Sequence, residues 1–407
     1  MFVLGRWERS STMLAIPLKL SPETDFAVLE KYLENHFLDA SSGIDSATIT
    51  DAVASLVAAR NRALQYAKTP SNLKEARQAT LDYATQIKHM QTKFPFGESK
   101  NVVQMTFLWA DAFMPKKEVG QYSLNYELAG TLYNWAALHS VTGLQVDRNA
   151  PDYAPTSAKL FQQAAGIFNE LKTKVCPVLK GAATSDLSLE GLQMIIDLML
   201  AQAQALYYNK CLGTPAAKLT KGNEKMKCAL CAKLAAHTKD LYAKALKVGT
   251  NSSLATVLSQ VWINHMQFQQ SVYASAAAYK QSEVVHANAL ATGTGFGMEI
   301  AYLIKAEEEC KAAVEATKTK GSKLSAVDKS SVESLLLKIQ AKRKEAEADN
   351  ETVYCESIPA QDDLPAVVGK AMAKLIVPPE CPTVAASGHG QDIFRKMVPK
   401  VVRQAGK

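Results

Sequence analysis

Over the first 350 residues, apolar side chains return every three or four positions in about ten long segments, and almost nowhere do they alternate. That spacing places them on one face of a helix, whereas a half-buried strand needs a period of two, so the chain must bury itself by packing helix on helix. The periodicity predicts helices over 24–38, 45–68, 72–92, 120–143, 156–180, 186–213, 224–248, 252–290, 298–319 and 324–349. Ser253, following Asn251 and Ser252, is the expected N-cap of the longest of them. Strand character is confined to LAIPL at 14–18 and the alternating MTFLWADAF at 105–113. Beyond about residue 350 the pattern stops, and Pro359, Pro365, Pro378, Pro379 and Pro382 exclude one regular helix. That segment is expected to run over the surface of the helical body.

Consecutive helices joined by short loops, with small-residue faces such as SVYASAAAY at 271–279, imply antiparallel pairs stacked side by side in an elongated, all-α solenoid. No strict repeat period is present. At 407 residues the chain is long enough for two or three domains, yet no Gly/Ser or charged linker divides the first 350, so one elongated domain is expected. A hydrophobic content of 47% supports a sizeable core.

The opening stretch, MFVLGRWERSSTMLAIPLKLS, lacks the basic region, continuous apolar stretch and small-residue cleavage site of a secretory signal. No apolar run approaches the roughly 18 residues of a membrane span. The cysteines at 176, 211, 228, 231, 310, 355 and 381 are odd in number and scattered through helical patterns, which fits reduced thiols in the cytosol better than a disulfide framework. A cytoplasmic protein is expected. The net charge of +7 is spread along the chain rather than gathered into a stripe or arm, so no nucleic-acid partner is expected. Of the two densest basic runs, KIQAKRK at 338–344 sits beside EAEAD and reads as a solvated helix face. The tail carries Arg395, Lys396, Lys400, Arg403 and Lys407 with no acidic residue among them, which allows peripheral contact with an anionic membrane.

No catalytic constellation stands out from this helical background. GTGFG at 293–297 has the glycines of a dinucleotide loop, but such a loop must follow a buried strand; here a helix precedes it, and it reads as a flexible connection between two helices. Phosphate-binding P-loop, G-x-S-x-G and H-E-x-x-H patterns are absent. His139, His265 and His286 stand singly in helical patterns, and paired carboxylates occur only on charged faces such as EEE at 307–309, which read as solvated. The chain is therefore expected to be no enzyme, with no cofactor, no metal and no small-molecule substrate.

KMKCALCAKLAAH at 225–237 raises the question of a metal knuckle or a redox dithiol. A helix turns about 100° per residue; with Leu230 at zero, Leu234 lies near 40°, Leu241 near 20° and His237 near 340°, while Cys228, Cys231, Ala232 and Ala235 span about 100° to 200°. His237 thus points at least ~120° from either cysteine, and a tetrahedral site needs four converging ligands. A lowered thiolate pKa usually requires a helix N-terminus, and Cys228 has about four helical residues ahead of it. The cysteines read as a packing face. The adjacent leucine face, extended by Tyr207 of the preceding helix, asks for a second, different neighbour.

KFPF (93–96), FLWADAF (107–113), NWAAL (134–138), LAQAQ (200–204), FGMEIAYL (296–303), DNETVYCESIP (349–359) and IFRKMVP (393–399), in this order and spacing, resemble the BRO-one domain of Alix-type adaptors. The likeness begins at residue 13 and implies a single domain over 13–405, with a helical body to about 349 and an extended segment over 350–405. Residues 1–12 match nothing, and Met13 is an alternative start. The resemblance implies a curved solenoid of tetratricopeptide-like helix pairs, without catalytic activity, that binds the C-terminal amphipathic helix of an ESCRT-III subunit of the charged multivesicular body protein four class. It puts Tyr207 at an aromatic contact position and Leu230 and Leu234 at the two central aliphatic positions, with Lys210 and Lys233 flanking the groove to meet acidic residues of the partner helix.

The chain departs from the family pattern in three places. Pro151 and Pro155 stand where polar rim residues are expected, the hairpin after DAF (MPKKEVGQ) is short and lacks an exposed aromatic, and 211–223 is a longer connection than usual. The expected function is a monomeric interaction adaptor, cytoplasmic and recruited to endosomes, acting in endosomal sorting, multivesicular body formation and membrane remodelling. The alternatives are a scaffold in ambient-pH signalling that uses the same groove, and a membrane-surface module whose basic face reads anionic bilayers.

Overall fold

The computed structural model describes residues 13–39, 43–68, 72–179, 184–251, 253–319, 324–384 and 391–397. Residues 1–12 and the tail positions Lys400, Arg403 and Lys407 lie outside them. The described residues form α1 (Ala27–Phe37), α2 (Ser46–Lys68), α3 (Leu73–Gln91), β1 (Phe107–Ala110), β2 (Glu118–Gln121), α4 (Leu124–Gln145), α5 (Tyr153–Glu170), α6 (Leu189–Gly213), α7 (Ala216–Leu219), α8 (Glu224–Asn251), α9 (Gln260–Thr292), α10 (Phe296–Lys318) and α11 (Ala326–Asp349). The fold is predominantly helical, as expected, and every predicted helix has its counterpart.

The differences have local causes. The segment predicted to open α4 instead pairs as β2 against β1, antiparallel, with Phe107 opposite Gln121 and Ala110 opposite Glu118. Ser253 does not cap α9: Ser253–Thr256 is a separate 3-10 turn, and Ser259 is the N-cap residue. α5 stops earlier than predicted, passing through a π-turn at Leu171–Val175 into a 3-10 turn at Cys176–Val178, where Pro177 removes a backbone donor. LAIPL is not a strand. Ile16 N–H donates to Ser140 Oγ (2.9 Å), and the backbone of Lys19 is bracketed by the Asn134 amide (2.6 and 2.9 Å), so side chains of α4 replace a sheet partner.

The chain gathers into two compact units. Among the described residues, unit 1 comprises 13–14, 143–162 and 197–374, and unit 2 comprises 15–142, 163–196 and 375–397.

In unit 2 the interior is built around charge. Glu127 of α4, fully buried, accepts from Arg60 Nε (2.8 Å), the Tyr83 hydroxyl (2.8 Å) and Trp109 Nε1 (2.7 Å). A second buried centre joins Lys19 Nζ to Asp186 Oδ2 (2.5 Å) and Thr184 Oγ1 (3.0 Å), and the same Asp186 oxygen accepts from Ala112 N–H (2.8 Å). Burial pulls the Lys19 ammonium below its ordinary pKa, and Asp186 opposes that pull.

In unit 1, α8 packs on α9, α9 on α10 and α10 on α11. The small face of α9 does what its sequence predicts: Ser275, Ala276, Ala277 and Ala278 are all buried. Close approach lets Ser275 Oγ donate across to the Ala306 carbonyl of α10 (2.7 Å). Phe268, Tyr279, Ile300, Leu303, Val332, Leu335 and Ile339 fill the space between α9, α10 and α11.

The GTGFG loop joins α9 to α10, but it is not a loose connection. Gly295 sits at φ +111°, and the amides of Gly295 (2.8 Å) and Gly297 (2.9 Å) donate to the Glu356 carboxylate. A Cβ on Gly297 would lie 2.2 Å from the Ser357 carbonyl oxygen. The glycines bring backbone donors to an anion, as in a phosphate loop, and the chain supplies that anion itself.

EEE at 307–309 also departs from expectation. Glu307 is buried and ties α10 to α11 through Arg343 Nη1 (2.9 Å) and Gln340 Nε2 (3.1 Å). Burial works against its charge, but hydrogen bonds from Lys311, Gln340 and Arg343 prevail and hold its pKa down to about 2. KIQAKRK is correspondingly not wholly solvated, since Arg343 is spent on Glu307 and Glu347 and Lys338 lies over the Tyr279 ring.

Candidate partner-helix interface

α8 carries the centre of the expected groove. Its buried side, Cys231, Ala232, Leu234, Ala235, Thr238, Leu241 and Tyr242, is the surface it commits to packing. Leu230 sits at the edge of that surface and is half-buried, whereas Leu234, one turn on, is only 1% exposed. The structure thus separates the two leucines: Leu230 can offer area to a partner, and Leu234 supports the helix from beneath. Lys233 is exposed on the outer side.

On α6, Tyr207 is half-buried, its hydroxyl accepting from Gln162 Nε2 (3.0 Å) of α5, and Lys210 one turn later is exposed. Pro155 lies in the first turn of α5, where the missing N–H costs no helical hydrogen bond. The long connection 211–223 contains α7, which packs on α8.

Two apolar side chains escaped the sequence reading. Met226, four residues before Leu230 and therefore on the same side of α8, is 57% exposed, and Leu219 of α7 is 40% exposed. The i, i+4 spacing of Met226 to Leu230 was the signal that marked it. Lys218, Lys221 and Lys225 are exposed around them, so the apolar strip has a basic surround.

The chain after α11 bounds this surface. Its first part is anchored where Gln361 Nε2 donates to the Ala301 carbonyl (2.9 Å) and the Tyr302 hydroxyl donates to the Pro365 carbonyl (2.6 Å). It then crosses α8, with Lys370 N–H on the Lys233 carbonyl (2.9 Å). Gly369 is needed there, since any Cβ would meet the His237 backbone at 3.0 Å. Gln204 of α6, fully buried, holds the segment by its amide: Nε2 donates to the Lys370 carbonyl, and Oε1 accepts from Met372 and Ala373 N–H, each at 2.9 Å. Gln162 Oε1 accepts from Lys374 N–H (2.9 Å). This strap covers the Lys233–His237 turn, and the open part of the strip is therefore the N-terminal part of α8.

Cys228 and the buried histidines suit packing better than proton chemistry. Burial, reinforced by Glu283, pushes the Cys228 thiol up to about 11. Burial lowers His265 of α9 to about 4, and His139 in unit 2 likewise, so both rings are neutral near pH 7. His286 bonds Glu299 at 2.7 Å. Among the described residues no helix is long and apolar enough to cross a membrane.

A family model described as BRO1-like domain matches residues 13–407. The pH-response regulator protein palA/prr-1 of Neurospora crassa is 29% identical over 79% of this chain, and the vacuolar protein-sorting protein BRO1 of Gibberella zeae is 28% identical over 97% of it. The chain spans 36% and 38% of the lengths of those two relatives. Among solved structures, a complex of the ALIX BRO1 domain with CHMP4C superposes with a TM-score of 0.74 at 26% identity, covering 95% of this chain and 100% of that one.

Proposed function

The chain belongs to the BRO1-like domain family, and from that premise we propose that it is a non-catalytic adaptor whose α6–α8 surface takes the C-terminal amphipathic helix of an ESCRT-III subunit of the CHMP4 class. Residues 13–405 act as one module, cytoplasmic and recruited to endosomes, in endosomal sorting, multivesicular body formation and membrane remodelling. The observation that carries this reading is exposed Met226 one turn before half-buried Leu230 on α8, with half-buried Tyr207 on α6 and exposed lysines, including Lys210 and Lys233, on the same two helices. A few apolar anchors that become desolvated supply most of the affinity in helix-in-groove recognition, and the basic rim selects an acidic partner helix. Leu234 contributes by holding α8 in place.

A second reading, a scaffold in ambient-pH signalling, draws on the likeness to the palA/prr-1 regulator and uses the same surface. A membrane-surface module would use the basic tail instead. Fluorescence anisotropy with labelled C-terminal helix peptides of the host's ESCRT-III subunits separates adaptor from membrane module. The adaptor reading predicts a Kd near the micromolar range, about 8 kcal/mol, that persists at moderate salt. Silence toward every peptide, together with steeply salt-dependent binding to anionic vesicles, contradicts it.

A further inference from the structure

We propose that Cys211 and Cys231 are a redox pair that closes to an intramolecular disulfide under peroxide, cross-linking the end of α6 to the first turns of α8. The sulfurs are in contact at 3.1 Å, one thiol hydrogen-bonded to the other, and both residues are buried, Cys211 at 5% and Cys231 at 1% exposure. C-x-x-C spacing points to Cys228 as the partner of Cys231, but the fold turns Cys228 toward Glu283, whose carboxylate accepts its S–H at 3.3 Å. Cys211, remote in sequence, takes that place.

The surroundings assign the two sulfurs different roles. The hydrogen bond from Cys231, which donates its S–H to a Cys211 thiolate, is the largest cause holding the Cys211 thiol below its ordinary pKa; burial opposes it, and Lys227, Lys280 and Lys370 add smaller pulls toward the thiolate. Cys211 also lies in the last turn of α6, beside a connection whose residues are largely exposed, which gives peroxide its approach. The Cys211 thiolate attacks one peroxide oxygen, the O–O bond breaks, and hydroxide leaves with a proton from solvent as water. The resulting Cys211 sulfenic acid is attacked at sulfur by Cys231; the S–S bond forms, and the sulfenic hydroxyl leaves as water with the Cys231 proton. Two electrons pass from the thiols to one peroxide. Closing the pair moves the sulfurs about 1 Å closer, to the ~2.05 Å of a disulfide bond. The cross-link forms whether or not the neighbouring surface binds a helix; only its consequence for Tyr207, Lys210 and Leu230 rests on the proposed function.

The full-length chain is exposed to graded hydrogen peroxide, alkylated with N-ethylmaleimide and digested without reduction. The expected product is peptide 211–218 linked to peptide 228–233, with tandem mass spectrometry placing the bond at Cys231, and with dithiothreitol reversing it. Cys231→Ser removes the linked peptide and leaves Cys211 as a sulfenic acid trapped by dimedone. Exposed Cys355 serves as the internal dose marker. The proposal is overturned if Cys211 and Cys231 are still alkylated at a dose that has oxidised Cys355, or if Cys211 is found linked to Cys228.

Discussion

Two buried polar sites, one in each unit, differ in kind. Around Glu127 in unit 2 the buried partners are an arginine, a tyrosine and an indole N–H converging on one carboxylate. Beneath the strap of unit 1 the buried group is Gln204, a neutral amide that pairs with backbone of an otherwise extended segment. Removing one member of a buried ion pair strands a charge in low dielectric, while opening a neutral amide clamp exposes groups that water readily satisfies. Unit 2 is therefore locked as a whole, and the strap of unit 1 is held locally.

The comparison breaks most visibly at Glu127. Glu127→Ala leaves Arg60 buried without its carboxylate and is expected to cost about 3–5 kcal/mol, read as a fall in the urea midpoint. If the loss is no larger than for a surface substitution, the charged centre does not lock unit 2.

Acid acts on both units through buried histidines. His139 and His265 have folded pKa values of about 4 against the ordinary 6.5. A histidine with a depressed folded pKa binds a proton in the unfolded chain first, so its stabilisation is present above pH 6.5 and is lost as pH falls toward 4. Each contributes at most about 3 kcal/mol over that window. Denaturant melts from pH 7 to 4.5 should show the decline, and His265→Gln should flatten it; an unchanged slope in that variant argues against a neutral buried ring.

The smallest effect is expected at the strap. Gln204→Ala removes three hydrogen bonds to Lys370, Met372 and Ala373, worth about 2 kcal/mol locally, so amide exchange at Met372 and Ala373 should rise by roughly 30-fold. Global stability should move far less. A loss comparable to that of Glu127→Ala means that the strap is part of the cooperative core.

Helix positions were legible because the 3.6-residue period is written locally, and all ten expected helices are present. What the sequence hid lies in partners remote along the chain. LAIPL has the look of a strand, and only the approach of Asn134 and Ser140 shows how its backbone is satisfied. Glu307 reads as solvated until Arg343 and Gln340 are brought beside it. A helical wheel puts Leu230 and Leu234 about 40° apart, too little to reveal that the packing boundary of α8 falls between them. The same blindness concealed Cys211 as the neighbour of Cys231 and Met226 as an extension of the exposed strip.

The central claim is that the α6–α8 surface of unit 1 receives a partner helix through Leu230. Leu230→Asp tests it with two readouts, peptide affinity by anisotropy and stability by thermal melting. A carboxylate there must be desolvated without a partner on binding, a penalty of several kcal/mol against a complex of about 8 kcal/mol, so peptide binding should vanish. The melting temperature of the free chain should change little, because a half-exposed edge position tolerates charge at a cost of about 0.5–1 kcal/mol. Retained affinity in a folded Leu230→Asp protein would place the partner elsewhere, and unfolding would show that Leu230 belongs to the core with Leu234.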